Sequence, residues 1–129
     1  MCTANLVVYV VEDDASVRRA VTRLLRAHGW RVVAFDSADA FLRARPWEPV
    51  ACLLLDIQMP GMTGWELLDE LGKIDSALPV IVITAYSEEP TPEQAQQAGI
   101  VAYLHKPFDE QVLLEALQRV CMPRPPAPP

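Results

Sequence analysis

Five side chains suited to handling metal and phosphate stand at the ends of apolar runs. Glu12 and Asp13 follow Leu6 to Val11, Asp56 follows Ala51 to Leu55, Thr84 closes the run from Pro79, and Lys106 follows Val101 to His105. Clustered carboxylates repel one another in a partly desolvated pocket, so three of them brought together make physical sense around a hard divalent cation. Magnesium is the natural candidate, because it takes oxygen ligands, keeps several waters and is commonly held by one or two carboxylates plus a phosphate oxygen. With such a cation in place, Asp56 is a carboxylate nucleophile that can attack phosphorus to give an acyl phosphate. The metal and the Lys106 ammonium would neutralise charge on the equatorial oxygens. Thr84 would donate its hydroxyl to one of those oxygens.

For these residues to meet, the runs that precede them must lie side by side. Short segments rich in Val, Ile and Leu alternate with longer ones whose apolar residues recur at helical spacing, the pattern of βαβ units. Strands are expected at Leu6 to Val11, Arg31 to Phe35, Ala51 to Leu55, Pro79 to Thr84 and Val101 to His105. The continuous apolar run before Asp56 is that of a central parallel strand covered on both faces. Between the strands, Val17, Val21, Leu24 and Leu25 form the stripe of a first helix, which Asp14 can cap and Gly29 can stop. Ser37 can cap a short second helix carrying Ala38, Phe41 and Leu42, which ends before the Pro46 to Pro49 break. A third helix carries Trp65, Leu67, Leu68 and Leu71. A polar fourth helix starts at Thr91 and Pro92, and the last, from about Asp109 to Arg119, is expected to bury Val112, Leu113, Ala116, Leu117 and Val120. Strict alternation predicts an α/β fold: an open parallel sheet with helices on both faces, and ligand chemistry at the carboxyl ends of the strands.

Composition sets the outer bounds. The 129 residues are 51% hydrophobic and 22% charged, the balance of a single ordinary globular domain rather than a disordered chain. No apolar run approaches the ~18 residues of a membrane helix, and no signal segment is seen, so a cytoplasmic location and no membrane partner are expected. Cys2, Cys52 and Cys121 are odd in number and lack metal-binding spacing; Cys52 reads as a small core residue. Seventeen acids against eleven bases give a net charge of −6, with no basic stripe to neutralise a phosphate backbone, so no direct nucleic-acid binding is expected. His28 and His105 read as surface or strand-face residues, and Trp30, Trp47 and Trp65 as packing residues.

Over residues 5 to 121 the sequence resembles the receiver domain of two-component response regulators. The resemblance is carried by VYVVEDDASVRR at 8 to 19, LLLDIQMPGMTGWELL at 53 to 68, PVIVITAY at 79 to 86 and YLHKPF at 103 to 108, in family order and spacing. It implies a flavodoxin-like (βα)5 sheet of strand order 2-1-3-4-5. It also implies Asp56 as phosphoacceptor, Asp13 as a direct Mg2+ ligand, Glu12 acting mainly through metal-bound water, and the backbone carbonyl of Gln58 completing the protein ligands. Thr84 and Tyr103 look like the family's switch pair, Lys106 like its phosphoryl-binding lysine, and Lys106-Pro107 like its cis peptide. Glu12 stands where Asp is commoner, and Ile100 follows Gly99 where Ala is usual. FDSADAFL at 35 to 42 is most like receivers that precede a helix-turn-helix DNA-binding domain.

The function this resemblance implies is a phospho-switch. A sensor histidine kinase donates the phosphoryl group, and the domain controls an output, with a homodimer through the face of the predicted fourth helix and fifth strand as one form of that output. Residues 1 to 121 would be the receiver, and the Pro-rich 122 to 129 a tail or the start of an interdomain linker. A single-domain receiver acting as a phosphotransfer intermediate is the alternative. A small phosphatase of the haloacid-dehalogenase type would want a second Asp two residues past the nucleophile, where Gln58 stands. A flavodoxin-like cofactor carrier would need a first loop that attracts phosphate, and Glu12 and Asp13 repel it. A receiver that binds without phosphorylation is argued against by the complete residue set. The domain is thus expected to be no enzyme beyond taking part in its own phosphorylation and dephosphorylation.

Overall fold

A strand of four valines and one tyrosine must be covered on both faces, and Val7–Val11 (β1) is buried at every position. In the computed structural model, which describes residues 7–45, 47, 51–58, 63–74, 78–85, 100–106 and 109–121, the elements follow in the order β1, α1 (Ala15–Ala27), β2 (Arg31–Phe35), α2 (Ala38–Arg43), β3 (Ala51–Asp56), α3 (Gly64–Lys73), β4 (Val80–Ala85), β5 (Ile100–Lys106) and α4 (Glu110–Cys121). The five strands are parallel in the order β2-β1-β3-β4-β5. The helix expected from Thr91, Pro107 and the tail at 122 to 129 lie outside the described residues.

Alternation along each strand divides the core in two. On one face Val8, Val10, Cys52, Leu54, Ile81, Ile83 and Leu104 meet Val21 and Leu25 of α1 and Leu113, Ala116 and Leu117 of α4. On the other, Val7, Tyr9, Val11, Leu53, Leu55 and Val82 meet Phe41 of α2 and Leu67, Leu68 and Leu71 of α3. Helices therefore cover both faces, as expected. Trp30 is buried, and Trp47 stacks on Phe41 with ring centroids 4.4 Å apart while its indole N–H donates to the Phe41 carbonyl at 3.0 Å.

Local chemistry fixes where the helices start and stop. The Asp14 carboxylate accepts from the amides of Ser16 and Val17 at 2.9 and 3.3 Å, Ser37 Oγ accepts from Ala40 N at 3.1 Å, and Thr63 and Glu66 form a reciprocal capping box. Past the end of α1, Gly29 has φ +86, a conformation that other residues adopt only at a cost.

Two expectations are corrected. Val112 is 42% exposed rather than buried, because α4 meets the sheet through Leu113, Ala116 and Leu117 and Val112 falls on its flank. The third, fourth and fifth strands each run a residue further than the apolar runs do, since the backbone ladder pairs Asp56 with Ile83 and Ala85 with Lys106 whatever the side chains. Asp56 and Lys106 are thus the last residues of their strands rather than the first of loops.

Candidate functional site

The parallel register sets the spacing of the site. Val11 pairs with Leu55 across β1 and β3, so Glu12 and Asp56, each one residue on, arrive together at the carboxyl edge. Glu12 is held there by its own amide, which donates to the Phe35 carbonyl at 3.1 Å. Both acids are deeply buried, Glu12 at 2% and Asp56 at 3% exposure, while Asp13 faces solvent at the rim. Carboxylate oxygens of Glu12, Asp13 and Asp56 all lie within 4.8 Å of one another.

Lys106 reaches this group from the end of β5. Its Nζ donates to Glu12 Oε1 at 2.9 Å and to Asp56 Oδ2 at 3.2 Å. The other Asp56 oxygen, Oδ1, accepts from the Gln58 amide at 3.0 Å, so Gln58, whose carbonyl was expected as a ligand, is tied to Asp56 through its N–H. Glu12 Oε2 accepts from the Asp14 amide at 3.3 Å.

The electrostatics follow from burial. Loss of water around the Glu12 carboxyl, reinforced by its hydrogen bond to Asp56, pushes its pKa up to about 7, although Lys106 pulls the other way. For Lys106, burial works against the charge, but the hydrogen bonds and attraction of Glu12 and Asp56 outweigh it and raise its pKa above the ordinary lysine value. One ammonium thus serves two buried acids, with a third acid at the rim. Such a donor set, oxygen only and rich in negative charge, fits a hard divalent cation.

Thr84 is buried beside the site, one residue beyond Ile83, the ladder partner of Asp56. Tyr103 pairs with Val82, two residues before Thr84, so Tyr103 and Thr84 share the sheet face covered by α2 and α3. Tyr103 is half-buried there, and burial raises the pKa of its phenol. The structure therefore gathers Glu12, Asp13, Asp56 and Lys106 directly, with Thr84 and Tyr103 alongside.

Two supporting residues escaped the sequence reading. Arg18 donates from Nη1 to the carbonyls of Glu12 at 2.9 Å and Asp13 at 3.4 Å, bracing the acidic turn. Nothing in its position on a polar helix face marks it out. Gly64 does leave a signal, a glycine at the first helical position where most residues would serve better. Its absent Cβ would stand 2.6 Å from Ile57 Cα and 3.1 Å from the Asp56 carbonyl oxygen.

This fold and carboxyl-edge site define a class, and the comparisons with known proteins agree: the chain belongs to the response regulator receiver domain family, whose profile matches residues 8–118. It is a receiver of two-component signalling systems. Nodulation protein W of Bradyrhizobium diazoefficiens is 40% identical over 115 residues, covering 89% of this chain and 51% of that protein. The solved structure of the response regulator StyR matches with TM-score 0.84 and 43% identity over 92% of this chain and 60% of that one. FixJ-N matches with TM-score 0.82 and 36% identity over 90% and 93%. The chain spans about half the length of the curated relatives it matches. Among the described residues no helix is long and apolar enough to cross a membrane.

Proposed function

We propose that Asp56 is the phosphoacceptor of this receiver and that a sensor histidine kinase is the donor. The observation that carries this reading is the Asp56 carboxylate itself, buried at the end of β3 with Lys106 Nζ on Oδ2 and the Gln58 amide on Oδ1. A carboxylate oxygen attacks phosphorus, the bond from phosphorus to the donor nitrogen breaks, and that nitrogen keeps the electron pair. Lys106, already within hydrogen-bond reach, holds the incoming phosphoryl oxygens. Asp13, Asp56, the Gln58 carbonyl and Glu12, the last mainly through water, are the residues to hold Mg2+, which when bound supplies positive charge against the transferring group. Thr84 and Tyr103 form the switch that reports the modification, by hydroxyl and ring movement on their shared face.

Residues 1 to 121 form the receiver and 122 to 129 the start of a linker, in keeping with relatives about twice as long. In such a protein the output is DNA binding by a separate domain, with this chain making no nucleic-acid contact of its own, located in the cytoplasm and free to dimerise through β5 and the segment before it. It turns over no substrate beyond its own phosphoryl group. The test is Mg2+-dependent labelling by a small phosphodonor such as acetyl phosphate. Wild type should label and Asp56→Asn should not; equal labelling of the two disproves the assignment. Hydrolysis of small phosphate esters should stay at background.

A further inference from the structure

The expectation that the sequence holds no basic stripe is corrected on one flank of α1, which is strongly basic; of its arginines, Arg18 braces the acidic turn and the others stand away from the phosphoacceptor site. Arg18, Thr22 and Arg26 stand at four-residue spacing along α1 with Arg19 and Arg23 beside them, so these residues form two adjacent rows on one side of the helix. Together with Ala34 of β2 they line a groove of about 290 Å3. Among the described residues every ion pair involves Lys73 or Lys106, and none of the four arginines meets a carboxylate. In a chain of net charge −6 this is local cationic charge with no acidic partner among the described residues.

The groove is also partly organised. Arg26 Nη2 donates to the Val32 carbonyl at 3.3 Å, Arg18 Nη1 to the Glu12 carbonyl at 2.9 Å, and Thr22 Oγ1 to the Arg18 carbonyl at 2.7 Å. A guanidinium has five N–H donors, so these bonds hold Arg18 and Arg26 in place while committing only part of their donors. On its other side the groove is bounded by a sheet edge, since β2 pairs only with β1 among the described residues. The Phe35 carbonyl faces β1, where the Glu12 amide takes it. By strand alternation the main-chain groups of Val32 and Ala34 therefore face outward. Arg26 occupies the first of these carbonyls, and Ala34, exposed beside the arginines, meets no second strand among the described residues.

We propose that this groove docks an extended, carboxylate-rich segment of a partner protein, which adds its main chain at Ala34 and sets its acids against Arg19, Arg23 and Arg26. Two features select this occupant. The open main-chain groups favour a strand over a helix, and an overall negative charge opposes a long polyanion such as nucleic acid while leaving short acidic segments able to bind. From Arg18 to Arg26 the helix rises ~12 Å, the length of about four extended residues. This inference does not depend on the role given to Asp56.

The probe is a dye-labelled six-residue peptide alternating Glu with Val, titrated into the full chain by fluorescence anisotropy, with hexathymidylate DNA in parallel. Wild type should bind the peptide saturably at low ionic strength and more weakly as salt rises. Arg19→Gln/Arg23→Gln should weaken binding by about tenfold or more, while Arg119→Gln on α4 should change it by less than about twofold. Far-ultraviolet spectra and unfolding curves confirm that each variant is folded. On saturation the Ala34 amide should exchange with solvent at least about tenfold more slowly. No saturable peptide binding, an equal loss in Arg119→Gln, tighter binding of the DNA, or an unprotected Ala34 amide would each overturn the proposal.

Discussion

Gly64→Ala should destabilise the protein although alanine is the better helix residue. At the first position of α3 a Cβ would lie 2.6 Å from Ile57 Cα, 2.7 Å from Ile57 Cδ1 and 3.1 Å from the Asp56 carbonyl oxygen. Two of these neighbours are backbone atoms and cannot swing away. The Gly64 amide donates to the Ile57 carbonyl at 3.0 Å, and the Ile57 amide to the Ile83 carbonyl at 3.0 Å, so the helix start, the loop after Asp56 and the sheet are bonded in series. Relief requires α3 to retreat from β3 or the loop to shift. Overpacking of this kind costs about 1–3 kcal/mol, and backbone neighbours place it at the upper end. Propensity returns up to ~1 kcal/mol, leaving a net loss of about 2 kcal/mol. Gly72 is the control within the same helix: a Cβ there meets nothing within 4 Å, so Gly72→Ala should stabilise by about 0.5–1 kcal/mol. Urea denaturation followed by circular dichroism reads both. Opposite signs are expected, with slower phosphodonor labelling in Gly64→Ala alone because the Asp56 loop is displaced. A Gly64→Ala protein as stable as wild type refutes the close-approach reasoning.

Glu12 gives a pH dependence. Its pKa rises from 4.5 to about 7 on folding, so between those values the native state holds a proton that the unfolded chain has released, and stability from this group falls as pH rises through the window. The gross loss is at most about 3 kcal/mol at 1.36 kcal/mol per unit. Without Mg2+, Glu12→Gln should flatten the decline in urea midpoint between pH 5 and 8; a variant as pH-sensitive as wild type would count against the shift. Phe41→Ala removes a fully buried ring that packs edge-on against Tyr9 and Phe35 and stacks on Trp47. It should cost about 3–5 kcal/mol by chemical denaturation, and a loss below ~1 kcal/mol would show that the ring cluster contributes little. Thr63→Ala breaks the capping box of α3 and should cost about 1 kcal/mol, with Thr63→Ser close to wild type.

Sequence reading succeeded where the physics is local. Continuous runs such as Val7–Val11 have no polar face, so they can only be central strands, and the caps at Asp14, Ser37 and Gly29 act within a few residues of themselves. Once the strands are parallel, the residues at their carboxyl ends arrive at one edge, which is why Glu12, Asp56, Thr84 and Lys106 are legible in the sequence as one group. Val112 failed because a helical stripe gives the direction of the buried face but not its width, which depends on how α4 settles on the sheet. The arginines of α1 were visible one by one, yet whether they form a groove depends on which flank of the helix meets the edge strand.

The sequence by itself determined the alternating α/β plan, the caps and the chemical identity of the strand-end residues, because those follow from composition, period and turn chemistry over short spans. Only the tertiary structure decided that one ammonium bridges Glu12 and Asp56, that burial raises the Glu12 pKa, and that α3 can approach β3 only across a glycine. Each of these depends on distances between residues far apart in the chain, the Glu12 to Lys106 contact spanning 94 positions. Distances of that kind are set by the packing of the whole sheet and its covering helices.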